Sequence, residues 1–110
     1  MLSLPPQTRI FISGTPCDMR KQHSGLAALV RRGTGNDPRA GMLYVFWNQR
    51  RDLVKVLFRD AHGYCLLAKR LDRDTFKIRV SGPPSDRPIE ISTSDLASLL
   101  QNLAISTPNA

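Results

Sequence analysis

The chain has 110 residues, the size of one domain and too short for two. Apolar residues make up 41% and charged residues 23%, an ordinary globular balance that excludes a disordered or fibrous chain. Sixteen Lys and Arg against nine Asp and Glu leave a net charge of +7, which favours polyanionic partners.

Met1–Pro6 read as a short lead-in, with Pro5 and Pro6 stopping any regular element. They hold no basic region followed by a long apolar run, so no signal peptide is expected. No later stretch approaches the length of a membrane span, and a soluble, cytoplasmic protein is expected.

Residues 9–13, rich in β-formers and closed by Gly14, predict a first strand. Asp18 is a candidate N-cap for a helix over 19–31, with Met19, Leu26, Leu29 and Val30 at helical spacing. Residues 33–41, with three glycines and Pro38, read as a loop. Strand patterns follow at 42–47, 53–59 and 64–71, joined by the short polar connectors 48–52 and 60–63, which imply antiparallel hairpins. Weaker strands are read at 76–80 and 88–91. Ser92 and Asp95 form a variant capping box that opens a helix running to about Leu103. Its Leu96, Leu99, Leu100 and Leu103 make one apolar stripe, expected to dock on the sheet.

The expected fold class is α+β. It is an antiparallel β-meander of about four to five strands, with one helix after the first strand and one C-terminal helix packed on the sheet. Residues 1–110 are expected to form a single domain, with 1–8 and 105–110 flexible.

All sixteen cations lie between Arg9 and Arg87, with seven acids among them, so that stretch carries a net +9. Twelve of the sixteen are Arg, the better fork for phosphate. If Ala61-His62-Gly63 is the turn, Lys55 faces Lys69 and Arg59 faces Cys65. If the earlier loop spans Gln49–Asp52, Phe46 lies beside Lys55 and Tyr44 beside Leu57. One sheet face would then carry Lys55, Arg59 and Lys69 among Tyr44 and Phe46. Two opposed lysines destabilise a hairpin by some tenths of a kcal/mol unless an anion joins them. The other reading is that both lysines lay their stems along apolar surface and hold their amines in water.

Three further places add candidate DNA contacts. Arg50 and Arg51 stand at a hairpin tip, where they can reach phosphate or a base edge. Arg20 and Lys21 would occupy the first turn of a helix, where the macrodipole disfavours positive charge. Arg70 follows Lys69 at the end of its strand.

Catalytic patterns are missing. The nine carboxylates are scattered, His23 and His62 pair with no nucleophile by sequence, and Cys17 and Cys65 are too far apart for a metal knuckle or redox pair. No Gly-rich phosphate loop occurs. A non-enzymatic protein without cofactor or metal is expected, and a metal-dependent nuclease built from three of the carboxylates is the remote alternative.

Asp18-Met19-Arg20-Lys21, Gly25-Leu26, Val30, Asp37-Pro38, Gly41 and Tyr44-Val45-Phe46 occur in that order. Arg50-Arg51-Asp52, Lys55-Val56-Leu57, Asp60, Gly63, Leu66, Lys69-Arg70-Leu71 and Phe76 follow. This series resembles the Orf2-like accessory protein, also called TnpB, of bacterial IS66-type insertion sequences, over roughly Leu4 to Leu103. The family in question is distinct from the RNA-guided nucleases that share the name TnpB. The resemblance implies a protein encoded beside a separate transposase and needed for efficient transposition, with the chemistry in that partner. DNA at element ends, suggested by the charge, and the transposase are the expected partners; a bridging role without DNA contact is the alternative. An exposed sheet edge leaves room for a homo-oligomer.

Overall fold

The computed structural model describes residues 7–85 and 87–107. The first strand, β1 (Arg9–Ile12), is followed by α1 (His23–Thr34) and then by β2 (Met42–Trp47). β1 and β2 pair in parallel, with Phe11 opposite Tyr44. A helical crossover is what a parallel pair requires, whereas a hairpin cannot make one. The sheet is therefore mixed and not the antiparallel meander expected.

The meander holds for the next three strands. β2, β3 (Leu53–Arg59) and β4 (Tyr64–Arg70) run antiparallel, and β6 (Ile89–Ile91) pairs antiparallel with β1 on the far side. The five-stranded order is β4-β3-β2-β1-β6. Between β4 and β6 lies β5 (Ile78–Arg79), which pairs in parallel with β7 (Ile105–Ser106) after α2 (Thr93–Leu100). Residues 105–107 thus belong to the fold and do not form a tail, since Ile105 is buried and its N–H bonds to the Lys77 carbonyl. Residues 1–6 and 108–110, also expected to be flexible, lie outside the described residues.

Both faces of the large sheet are covered. On one, Leu26, Ala27 and Val30 of α1 pack on Tyr44, Phe46 and Leu57. On the other, Leu96 and Leu99 of α2, with Phe76, Ile78 and Ile105, cover Ile10, Ile12, Val45, Trp47, Val54 and Val56. Alternation along each strand delivers one set of side chains to each layer.

α2 starts as the sequence predicts. The Ser92 hydroxyl accepts from the Asp95 N–H at 2.9 Å, and the Asp95 carboxylate accepts from the Ser92 N–H at 3.1 Å. It ends earlier than predicted, because Asn102 takes a left-handed φ of 60° and the Leu103 N–H turns back to the Ser98 carbonyl. Leu103 consequently leaves the apolar stripe and is 54% exposed.

α1 begins four residues later than predicted. The Asp18 carboxylate accepts from the backbone N–H of Arg20 at 3.0 Å and closes a turn ahead of the helix. The Met19 and Lys21 carbonyls, which a longer helix would use for its own ladder, instead accept from the Lys55 ammonium. Arg20 and Lys21 therefore precede the helix and do not occupy its first turn. At the other end, Gly35 sits at φ +81° and its N–H closes on the Arg31 carbonyl at 2.7 Å. Among the described residues no helix is long and apolar enough to cross a membrane.

Candidate nucleic acid interface

The register of β3 and β4 decides which cations share a face. Asp60 pairs with Gly63 around the two residues Ala61 and His62, and its carboxylate accepts from the N–H groups of His62 and Gly63. The turn is thus one residue shorter than expected, which slips the pairing by one and flips the faces. Lys69 lies opposite Val54, and Lys55 opposite Ala68. The pairing of Phe46 with Lys55 and of Tyr44 with Leu57 is as expected.

The single basic face with Lys55 and Lys69 together does not form. Lys55 is 5% exposed beneath α1, and its ammonium donates to the carbonyls of Met19 at 2.8 Å and Lys21 at 2.9 Å. Lys69 stands on the opposite face and donates to the Leu100 carbonyl at the C-terminal end of α2, where positive charge is favoured. Tyr44 and Phe46 are core residues, each 5% exposed. Arg59 stays on the α1 side with its guanidinium over the Tyr64 ring, 4.8 Å from the centroid.

Three other predicted residues do converge. Arg20, Arg50 and Arg70 line one open cleft of about 370 Å³ with Cys17, Asp18, Met19, Asn48, Gln49 and Leu53. They arrive from three segments: the turn before α1, the β2–β3 connector and the end of β4. Lys21 borders the adjoining recess, which shares Cys17 and Asp18 with this cleft.

The connector is built by hydrogen bonds and not by glycine. The Asn48 side-chain oxygen accepts from the N–H groups of Asp52 and Leu53, both at 3.1 Å, while its amide donates to the Asp52 carboxylate at 2.6 Å. Arg51 occupies the left-handed region at φ 60° and donates to the Ile78 carbonyl at 2.8 Å. Its guanidinium also lies over the Trp47 ring, 5.1 Å from the centroid. Arg51 is thereby tied to the small sheet, whereas Arg50 has no side-chain bond or ion pair among the described residues.

Two acids hold the other arginines loosely. Asp18 forks Arg20, whose side chain is 91% exposed, and that contact holds the carboxyl well below the usual range. Asp52 is also held low, first by Asn48, and meets Arg70 at 3.4 Å. Both pairs are solvent-exposed and screened by salt, so a phosphate can compete for both arginines. Sequence reading overlooked Asp18, Asn48 and Asp52 as builders of the cleft. The spacing of Asn48 and Asp52, an amide and an acid bracketing a connector without glycine, is the signal that marked them.

Among the described residues no three His, Cys, Asp or Glu come together as a metal site. Cys17 and Cys65 are both free, and burial pushes each thiol up, away from the reactive thiolate.

Fold and cleft together define a small, basic α+β protein whose exposed arginines converge on one surface. The chain belongs to the IS66 Orf2-like family, matching the family described as IS66 Orf2 like protein over residues 8–110. That membership points to an accessory role in transposition. Two Sinorhizobium fredii relatives are similar, both carrying the name of uncharacterized proteins. The protein y4hO is 37% identical over 76 residues, covering 69% of this chain and 66% of its own length. The protein y4jC is 30% identical over 95 residues, covering 86% and 79% respectively. No solved structure matches the chain.

Proposed function

We propose that the protein is a non-catalytic accessory factor of insertion-sequence transposition that holds duplex DNA by its phosphates, in support of a separate transposase. The observation that carries this reading is the convergence of Arg20, Arg50 and Arg70 on one cleft. Their guanidiniums are exposed and bound only by weak surface pairs or by none among the described residues. Lys21 lines the adjoining recess, and Arg51 is held at the small sheet instead. Lys55 has no place in it, because its ammonium is spent on two carbonyls, and Lys69 and Arg59 lie away from the cleft.

Such binding is electrostatic. The logarithm of the affinity falls linearly with the logarithm of salt concentration, by about 0.9 per neutralised phosphate. Fluorescence anisotropy of a labelled duplex across a salt series tests it. Replacing Arg20, Arg50 and Arg70 together by Gln should flatten the slope by about 2 to 3. An unchanged slope would remove the cleft from the interface.

One observation favours a second reading, a subunit that bridges to the transposase. β4 is an edge strand of seven residues, with Leu67 41% exposed. Leu71 N–H and Gly63 C=O bond toward β3, so by alternation the backbone groups of Tyr64, Leu66, Ala68 and Arg70 point outward. A strand of the transposase could add there. Co-purification from nuclease-treated lysate, lost on Leu66→Pro or Ala68→Pro, separates this reading from DNA contact.

A further inference from the structure

The two faces of the large sheet are not covered equally along β1. On the α2 side, Ile10 and Ile12 are sealed at 1% and 0% exposure. On the α1 side, the helix packs over Tyr44 and Phe46 of β2 and Leu57 of β3, and Phe11 of β1, with Ser13 just beyond the strand, remains half-buried. The uncovered strip is the floor of a groove. One wall is α1, with Leu29 and Arg32, and the other is the chain around Ser85, Arg87 and Pro88.

The inner part of the groove is a recess of about 220 Å³ beside Ser13, Thr15, Cys17 and Lys21. It opens past Phe11 into a wider trough bounded by Arg32, Gly33, Gly35, Ser85 and Arg87. Phe11 gives the floor an aromatic surface, its ring stacked on Tyr44 with centroids 5.6 Å apart and planes 18° from parallel. Arg9 lies over the same ring at 5.2 Å. Lys21 is aimed by two contacts: its backbone carbonyl is held by Lys55, and its stem lies against Gly25, where a Cβ would come within 3.1 Å. Among the described residues the acid in the lining is Asp18, which is forked by Arg20, and nearby Glu90 is forked by Arg9.

Cations along a groove with an aromatic floor are how proteins hold single strands: the charges follow the backbone, and bases stack on the ring. A recess of about 220 Å³ is too small for a duplex to enter, whereas a single base can reach into it from a strand lying in the wider trough. We propose that this groove binds an unpaired DNA strand, with Lys21, Arg32 and Arg87 on its phosphates and a base on Phe11 in place of the Arg9 guanidinium that lies over the ring. The inference rests on the DNA-binding reading above. The cleft of Arg20, Arg50 and Arg70 lies across the ridge of Cys17 and Asp18, which lines both sites. Duplex on one side and a displaced strand on the other describe the junction at a frayed or nicked element end.

The test measures anisotropy of the full chain with a labelled oligothymidylate and, separately, with a labelled blunt duplex. Arg32→Glu and Phe11→Leu, each made alone, should weaken the single strand by about five- to a hundredfold, the range expected for a lost stacked base or phosphate contact. Both should leave duplex affinity within about twofold. Arg50→Gln with Arg70→Gln should do the reverse. Oligothymidylate should also slow alkylation of Cys17 in the recess and leave Cys65 unaffected. Equal single-strand affinity in Arg32→Glu and wild type overturns the groove, as does duplex binding with no single-strand binding. Loss of both ligands by the wild-type protein removes the DNA reading itself.

Discussion

The ammonium of Lys55, in the middle of the sheet, donates to the backbone carbonyl of Lys21 at 2.9 Å and so fixes the turn that presents Arg20 and Lys21. A second bond, to the Met19 carbonyl at 2.8 Å, completes the clamp. One buried cation thus organises two exposed ones. Lys55→Met keeps the apolar stem and removes the ammonium, leaving two carbonyls without their donor. The expected cost is about 2–3 kcal/mol, at the upper end for an unsatisfied buried group. Thermal unfolding followed by circular dichroism should show a Tm lower by roughly 10 °C or more. A Tm equal to wild type would return Lys55 to the solvated reading.

Arg50 and Arg51 are neighbours in sequence with different duties. Arg51 bonds the Ile78 carbonyl and covers Trp47, the one tryptophan in the chain. Arg51→Ala should destabilise by about 1–2 kcal/mol, one charge-assisted hydrogen bond plus a cation–π contact. It should also alter Trp47 fluorescence. Arg50→Ala should leave Tm within about 1 °C, since an exposed side chain without partners contributes little, and should weaken duplex binding. Equal effects of the two on both readouts would contradict this division.

What the sequence made legible follows from how local each signal is. The Ser92–Asp95 box is a contact three residues long, and it is present as read. The β2–β3 pairing was legible because its connector leaves one consistent register for Phe46 and Lys55. The β3–β4 register was not, since Asp60 looks like the last residue of a strand and its part in closing a two-residue turn depends on its carboxylate capturing two N–H groups. The α1 start was misplaced because Asp18 is equally suited to capping a helix and to closing a turn. What decides between them is Lys55, which holds the Lys21 carbonyl from thirty-four residues further along the chain. The parallel pairing of β1 with β2 is likewise a tertiary outcome of docking α1 on the sheet. Arg20, Arg50 and Arg70 were legible as cations but not as neighbours, because three separate segments meet only in the folded chain.

Acid should loosen the protein through specific carboxylates. Asp18 is held below its ordinary range first by Arg20, Asp52 first by Asn48, and Asp60 first by the His62 N–H. Asp74 is held low first by the Thr75 N–H and Glu90 first by Arg9. A depressed native pKa means that the unfolded chain binds protons more readily. The stabilisation is therefore complete above the unfolded values, near pH 4, and is lost as pH falls through the native ones. Tm should be flat from about pH 5 to 7 and should fall below about pH 4. Asp60→Asn should shrink that fall, because its turn no longer titrates. A Tm that rises on acidification would contradict the assignment.

The remaining prediction separates folding from binding. Ser92 caps α2 with a bond from the Asp95 N–H, and Asp95 returns one from the Ser92 N–H. Ser92→Ala removes the first and loosens the second, an expected cost of about 1 kcal/mol. That corresponds to a Tm lower by about 4–8 °C. α2 lies under the opposite face of the sheet from α1, and it lines neither the arginine cleft nor the β1 groove. Duplex and single-strand affinities measured well below the new Tm should therefore match wild type, since the folded fraction stays near unity. Weaker DNA binding at full folding would place α2, the segment without cations, in the interface and would argue against charge as the basis of recognition.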